Sequence, residues 1–163
     1  MVMEQELRQH RCCFTGYRPP KLRRPEDAIR KDLERAIRLA ISGDYTTFIT
    51  GMAEGVDIMA GEIVLEMKKE IPGLKLIAVV PFEGFEEEWE DYWRKRYYAL
   101  RADADLVRVM CPEYRPEAYE KRNRWMVDHS ARVIAVYGGK RGGTKNTIDY
   151  ALLQGIPVEL IGA

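Results

Sequence analysis

Three glycine turns, each placed between a short apolar segment and a helix-forming one, constrain this fold more than any other feature. Thr15-Gly16 follows Arg11–Phe14, and Thr50-Gly51 follows Thr46–Ile49. Gly138-Gly139 through Gly142-Gly143-Thr144 follows Val133–Tyr137. In an open α/β sheet the carboxyl ends of the strands share one edge, and ligands bind in the crevice there. Glycine lets backbone N–H groups come close to an anion, and a following helix adds its positive end. Three such turns on one edge predict a phosphate-bearing ligand.

The rest of the chain repeats this alternation, which predicts an α/β fold with a parallel sheet and helices on both faces. Strands are expected at Arg11–Phe14, Thr46–Thr50, Leu76–Val80, Leu106–Met110, Arg132–Tyr137 and Val158–Ile161. Helices are expected at about Pro25–Ser42, Val56–Ile71, Glu86–Ala102, Pro116–Ser130 and Asn146–Gln154. Ile29, Leu33, Ala36, Ile37, Ala40 and Ile41 form a helical stripe in the first of these. The Leu76–Val80 run is apolar throughout, as a strand buried on both faces requires. Met1–His10 is mostly polar and reads as a loose lead-in, leaving residues 11–163 as a single domain.

The charge is balanced overall, with 26 basic and 26 acidic residues, but unevenly spread. Arg18, Lys21, Arg23 and Arg24 follow the first glycine turn, and Lys140, Arg141 and Lys145 lie in the last. Basic loops in a neutral chain suit a small anion better than a nucleic-acid track, which comes with a strongly basic domain. Glu83, Glu86, Glu87, Glu88, Glu90 and Asp91 make an acidic stretch elsewhere. No apolar run is long enough to span a bilayer and no signal peptide opens the chain, so a soluble, cytoplasmic protein is expected. Cys12 and Cys13 are neighbours on a strand and point to opposite faces, so they make poor disulfide partners. No His/Cys/Asp/Glu spacing predicts a metal site.

In Thr50-Gly51-Met52-Ala53-Glu54-Gly55-Val56-Asp57 a strand ends, a turn with two glycines follows, and a helix begins. Such a turn can aim several N–H groups at one oxyanion. Asp57 in the first helical turn can stabilise the helix end or accept a ribose hydroxyl. Gly138 through Thr147 holds four glycines and two threonines with cations nearby, though not in Walker A spacing. Trp89, Tyr92, Trp93, Arg96 and Tyr97 recur at helical spacing, which predicts packing on the sheet, with one ring available for a nucleobase or a partner. Tyr17, between Gly16 and Arg18, is a second ring available for base or ribose contact.

Four segments occur in a fixed order: Thr15-Gly16-Tyr17-Arg18-Pro19, Thr50 to Asp57, Arg122-Asn123-Arg124-Trp125-Met126-Val127-Asp128, and Gly142-Gly143-Thr144-Lys145-Asn146-Thr147. Together they resemble the YpsA-like family of the SLOG superfamily, which also holds the LOG-type phosphoribohydrolases and the DNA-processing protein DprA. The resemblance runs from about Cys13 to Pro157. It implies a Rossmann-like three-layer sandwich with a mainly parallel sheet of about six strands. It also implies a nucleotide or ADP-ribose-like ligand with no obligatory cofactor. Some members of the resembled family are linked to bacterial cell division, which fits a regulatory sensor with a protein partner. Relatives in the superfamily often self-associate, so a homodimer is implied as well.

On this reading Gly16, Gly51, Gly139, Gly143 and Thr144 offer N–H groups to phosphate, with Thr15, Gly55, Gly138, Gly142, Asn146 and Thr147 completing the turns. Arg18, Arg122 and Lys145 neutralise the phosphate, and Asn123 and Asp128 shape the pocket. The chain departs from the LOG pattern, in which a glutamate follows the last glycine turn. Here Lys145, Asn146 and Thr147 follow instead, and Asp149 is the nearest acid. An N-glycosidic hydrolase would need Arg122 together with Asp149, Asp57 or Glu54 as its acid. Single-stranded DNA binding of the DprA kind is the third reading, and the neutral charge argues against it.

Overall fold

The computed structural model describes residues 3–163; Met1 and Val2, which open the expected lead-in, lie outside the described residues. The chain begins with α1 (Glu4–Arg8), β1 (Arg11–Gly16), a 3₁₀ turn at Pro19–Lys21, α2 (Glu26–Ser42) and β2 (Thr47–Thr50). It continues through α3 (Val56–Lys68), β3 (Lys75–Phe82), α4 (Asp91–Asp103) and β4 (Leu106–Cys111). It ends with α5 (Ala118–Asp128), β5 (Arg132–Tyr137), α6 (Gly143–Leu153) and β6 (Val158–Gly162). The six strands pair in parallel in the order β4-β3-β2-β1-β5-β6, a Rossmann-like α/β sheet.

Alternate strand residues feed two cores. Cys12 and Phe14 of β1 join Phe48, Leu76 and Ile134 beneath α2, α3 and α4. Cys13 joins Ile49, Val79, Val133 and Ala135 beneath α5 and α6. The adjacent cysteines therefore sit in different layers, both as free thiols. Burial pushes the Cys13 thiol up to about 12 and that of Cys12 up as well. The α2 stripe is buried as its spacing predicts, with Ile41 at the margin. Trp93 and Tyr97 of α4 and the preceding Trp89 pack into the first core, so most of the aromatic set is structural.

Strand order reverses at β1. Segments leaving β1 run towards β2, while those leaving β5 run towards β6, so a crevice opens between the two strands.

Several boundaries differ from expectation for physical reasons. Residues 4–8 form a helix rather than a loose lead-in, and Arg8 Nε donates to Ser130 O at 2.9 Å. The fourth helix starts at Asp91, not Glu86. A helix through Glu86 and Glu90 would stack like charges one turn apart. Instead Glu86 is buried in a turn, accepting from the Tyr98 hydroxyl at 2.9 Å. The fifth helix spans Ala118–Asp128, narrower than Pro116–Ser130. The last begins at Gly143, three residues before Asn146, which brings the end of the glycine run into its first turn.

Candidate functional site

A cavity of about 540 Å³ fills the crevice. Thr15, Gly16, Tyr17 and Arg18 enter from the end of β1, and Asp57 from the first turn of α3. Arg122 and Asn123 enter from α5, and Gly143 and Thr144 from the start of α6. These nine expected positions come together from four separate stretches of sequence. Pro20, Lys21, Ala53, Tyr119 and Met126 line the same cavity and are additional to the expected set. Tyr119, Arg122 and Met126 follow three- and four-residue spacing, so the helical periodicity carried a signal for the outer two.

Arg122 and Asp57 are the two buried charges of the site, 5% and 6% exposed. Arg122 Nη1 donates to Gly51 O, and Nε donates to Asn123 Oδ1 at 2.8 Å. Among the described residues its Nη2 has no hydrogen-bond partner, and no carboxylate lies within 4.0 Å of the guanidinium. Asp57 Oδ2 accepts from Ala53 N at 3.3 Å, while Oδ1 is buried without a partner. Burial holds the Asp57 carboxyl above the usual carboxylate range, with Arg122 and the Ala53 amide pulling the other way. Burial also lowers the Arg122 guanidinium, Asp57 opposing and Arg18 adding to the fall. Asp57 Oδ1 is thus a buried polar atom without a partner, which costs about 1–3 kcal/mol.

The first two glycine turns leave no room for a side chain. A Cβ on Gly16 would run into the Val56 side chain. One on Gly51 would come within 2.8 Å of Asp57 Oδ2 and 2.9 Å of Arg122 Nη1. Gly55 caps α3 at φ 92°, a conformation costly for other residues, with the Tyr17 carbonyl close against it. The Thr50 hydroxyl donates to Asp57 O at 2.6 Å and accepts from Met52 N.

The third turn is held from the opposite side of the cavity. Tyr17 is buried, and its hydroxyl accepts from Lys140 N at 2.8 Å. Lys21 Nζ donates to Arg141 O at 2.8 Å and sits over the Tyr17 ring. Tyr17, open to base contact on sequence grounds, therefore fastens the loop. Gly143 is more open than Gly16: the nearest atom to a Cβ there would be Asn123 Nδ2 at 3.9 Å. Arg18 reaches Glu54 at 3.6 Å and lies over Trp89 and Tyr119.

A second cavity of about 540 Å³ adjoins the first along α5 and α6, and Tyr119, Asn123 and Gly143 line both. Asn146, Thr147 and Asp149 lie there rather than in the crevice. Asp149 pairs with Lys145 at 2.6 Å. Asp128 is in neither cavity and instead accepts from Tyr150 Oη at 2.6 Å, tying α5 to α6. Thr50, Gly51, Glu54, Gly55, Gly138, Gly139, Gly142 and Lys145 also lie outside both linings. Among the described residues no group of three or more His, Cys, Asp and Glu could hold a metal ion. No helix among them is long and apolar enough to cross a membrane.

An open parallel sheet with glycine turns at a β1–β5 crevice defines a Rossmann-like α/β domain. The chain belongs to the YpsA family, described as the YspA SLOG family, which matches residues 12–155. It is 34% identical over 116 residues to the uncharacterised SPbeta prophage-derived protein YoqJ of Bacillus subtilis, covering 64% of this chain and 68% of YoqJ. It is 26% identical over 155 residues to a UPF0398 protein of Bacillus pumilus, covering 85% and 83% of the two chains.

Among solved structures, DNA processing protein A of Helicobacter pylori, described for its single-stranded DNA binding mode, superimposes with a TM-score of 0.67 at 18% identity. That match covers 96% of this chain and 66% of the other. The Streptococcus pneumoniae DprA gives 0.65 at 18% identity, and this chain spans 52% of its length. TM1055 gives 0.60, also at 18% identity, covering 92% of this chain and 72% of that one. At these identities the likeness is one of fold.

Proposed function

We propose that this chain binds a nucleotide or nucleotide derivative in the β1–β5 crevice and acts as a ligand sensor. The observation that carries the reading is the meeting of the α6 N-terminus with the incompletely bonded guanidinium of Arg122 in one cavity. A helix N-terminus and the planar fork of a buried arginine favour an oxyanion that takes two hydrogen bonds at once, such as phosphate. The unpartnered Asp57 Oδ1 supplies an acceptor of the kind a ribose hydroxyl satisfies. Ligand acts on the protein by favouring one arrangement of the loop that Tyr17 and Lys21 hold, and a protein partner or second copy reads the result.

The test is mass spectrometry of small molecules released on denaturing the freshly purified protein, followed by calorimetric titration with the nucleotide found. Stoichiometric intact nucleotide is the expected result. An empty protein that no nucleoside phosphate stabilises in a thermal-shift panel would overturn the reading. A ligand at a hundred times its dissociation constant adds about 2.7 kcal/mol, well within detection.

A second reading, N-glycosidic hydrolysis, draws support from Asp57. Among the three acids considered for that role, Glu54 is engaged by Arg18 and Asp149 by Lys145 in the second cavity. Asp57 alone lines the crevice and is held towards its protonated form, as a general acid requires. Release of free base, lost in Asp57→Asn and Arg122→Ala, would move the assignment to an enzyme. DprA-like DNA binding has only the shared fold behind it, and absence of single-stranded DNA binding in low salt would dismiss it.

A further inference from the structure

We propose that Lys21, and not Lys145, is the cation that meets the ligand's phosphate at the start of α6, and that the bound anion ties down the 138–142 loop through it. This rests on the nucleotide reading above and names the residue that carries its regulation. Lys21 closes the 3₁₀ turn, where its amide donates to Arg18 O at 3.1 Å and Pro19 and Pro20 restrain the backbone. From that fixed base its side chain lines the crevice and reaches the third glycine turn. A Cβ on Gly142 would stand 2.7 Å from Lys21 Nζ, and Gly142 is the N-cap of α6. Lys145, nearer in sequence, pairs instead with Asp149 one turn on at 2.6 Å and does not line the crevice.

The start of α6 is left with positive charge and free donors. Gly142 has no side chain to cap the helix, so the first-turn amides lack a cap hydrogen bond. The helix end is itself positive, and a lysine beside it adds like charge. Two deeply buried side chains of the same cavity are also incompletely bonded. Arg122, 5% exposed, has no hydrogen-bond partner at Nη2 among the described residues, and Asp57, 6% exposed, has none at Oδ1. An oxyanion seated between the α6 amides, Arg122 and Lys21 gives all three the acceptor they lack. Asp57 Oδ1 is left for a hydroxyl of the ligand.

Lys21 already holds the loop. Its Nζ donates to Arg141 O at 2.8 Å and lies 5.4 Å from the centroid of the Tyr17 ring. An ammonium carries three N–H donors, so it takes an oxyanion without giving up Arg141. Bound on both sides, it becomes a strap from the ligand to a loop whose Lys140 and Arg141 are exposed. The other tether, from Lys140 N to the Tyr17 hydroxyl, carries no charge and gains nothing from an anion.

Calorimetry with AMP on the intact chain, Lys21→Met, Lys145→Met and Tyr17→Phe tests the assignment. Hydrogen exchange of residues 138–142 is measured alongside, without AMP and at saturation; ADP-ribose replaces AMP if it alone binds. Circular dichroism establishes that each variant is folded, and Lys21→Gln takes the place of an unfolded Lys21→Met with the same expectation. Lys21→Met is expected to weaken binding about tenfold or more, and Lys145→Met to change it less than about twofold. Tyr17→Phe loosens the same loop without removing a cation and is expected to weaken binding less than about threefold. Ligand slows exchange of the loop in the intact chain and in Lys145→Met, and not in Lys21→Met. Equal losses in Lys21→Met and Tyr17→Phe would make Lys21 a tether of the loop alone. A larger loss in Lys145→Met would return the phosphate to that side chain. Either result overturns the proposal and leaves the nucleotide reading intact. So does exchange that ligand leaves unchanged in the intact chain, or slows equally in Lys21→Met. Failure of both AMP and ADP-ribose to bind the intact chain overturns both readings together.

Discussion

The β1–α3 corner and the start of α6 look alike in sequence, since both are glycine turns between a strand and a helix. Their glycines do different work. At Gly16 and Gly51 the missing side chain makes room for the protein itself: Val56 fills the first space, and Asp57 with Arg122 fills the second. At Gly143 the space stays open, with nothing nearer to a Cβ than Asn123 Nδ2 at 3.9 Å. A glycine-rich turn marks close approach, and only the packing around it tells whether the approaching group is a side chain or a ligand.

The sharpest way to break this contrast is Gly16→Ala. The new methyl meets the fully buried Val56 side chain, and the expected loss is about 2–3 kcal/mol in chemical denaturation. A neutral result would mean the corner is slack and its glycine is available to ligand after all. Arg122→Ala should come next, lowering nucleotide affinity roughly 10- to 100-fold through loss of a charge-assisted contact. Titration calorimetry measures it, and an unchanged affinity would take the anion away from the crevice.

Asp57→Asn probes the corner through pH. A carboxyl whose folded pKa is raised adds stability below its unfolded pKa, and that contribution is lost as pH rises through the folded value. Removing the charge should therefore leave the protein relatively more stable at pH 7 than at pH 4. A gain of about 1 kcal/mol at neutral pH corresponds to roughly 2–4 °C in melting temperature. A difference independent of pH would show that the carboxylate is fully paired. Tyr17→Phe removes the acceptor for the Lys140 amide and should cost about 1 kcal/mol, with faster hydrogen exchange at the Gly138–Gly142 loop. Smallest of all is Gly143→Ala, expected to change stability by no more than about 0.5 kcal/mol, since alanine favours a helical position over glycine. A loss above 1 kcal/mol there would erase the distinction between the two turns.

The strands and amphipathic helices were legible because their periodicity is a property of the chain alone. Arg132–Tyr137 and the α2 stripe are clear cases. The start of α4 was not, because burial of Glu86 and Trp89 depends on Tyr98 and the aromatic cluster they meet in the fold. The crevice lining was legible at Arg122, Asp57, Gly16 and Gly143, whereas Gly51, Gly55, Gly138, Gly139 and Gly142, expected beside them, lie outside it. Tyr119 and Met126 carry no such mark, and their part in the crevice comes from which face of α5 the sheet leaves open. Tyr17 illustrates the reverse case: a ring beside a glycine and an arginine invites a ligand role, yet its hydroxyl goes to the Lys140 amide.

The reversal of strand order at β1 also bears on when the crevice comes into being. Its first wall is made by residues 15–21 and its last by residues 143–144, and the two meet only when β5 slots in beside β1. In the sheet order β1 to β4 lie together on one side of that seam, and β5 and β6 on the other. The crevice is closed by the last quarter of the polypeptide, which supplies both β5 and the start of α6.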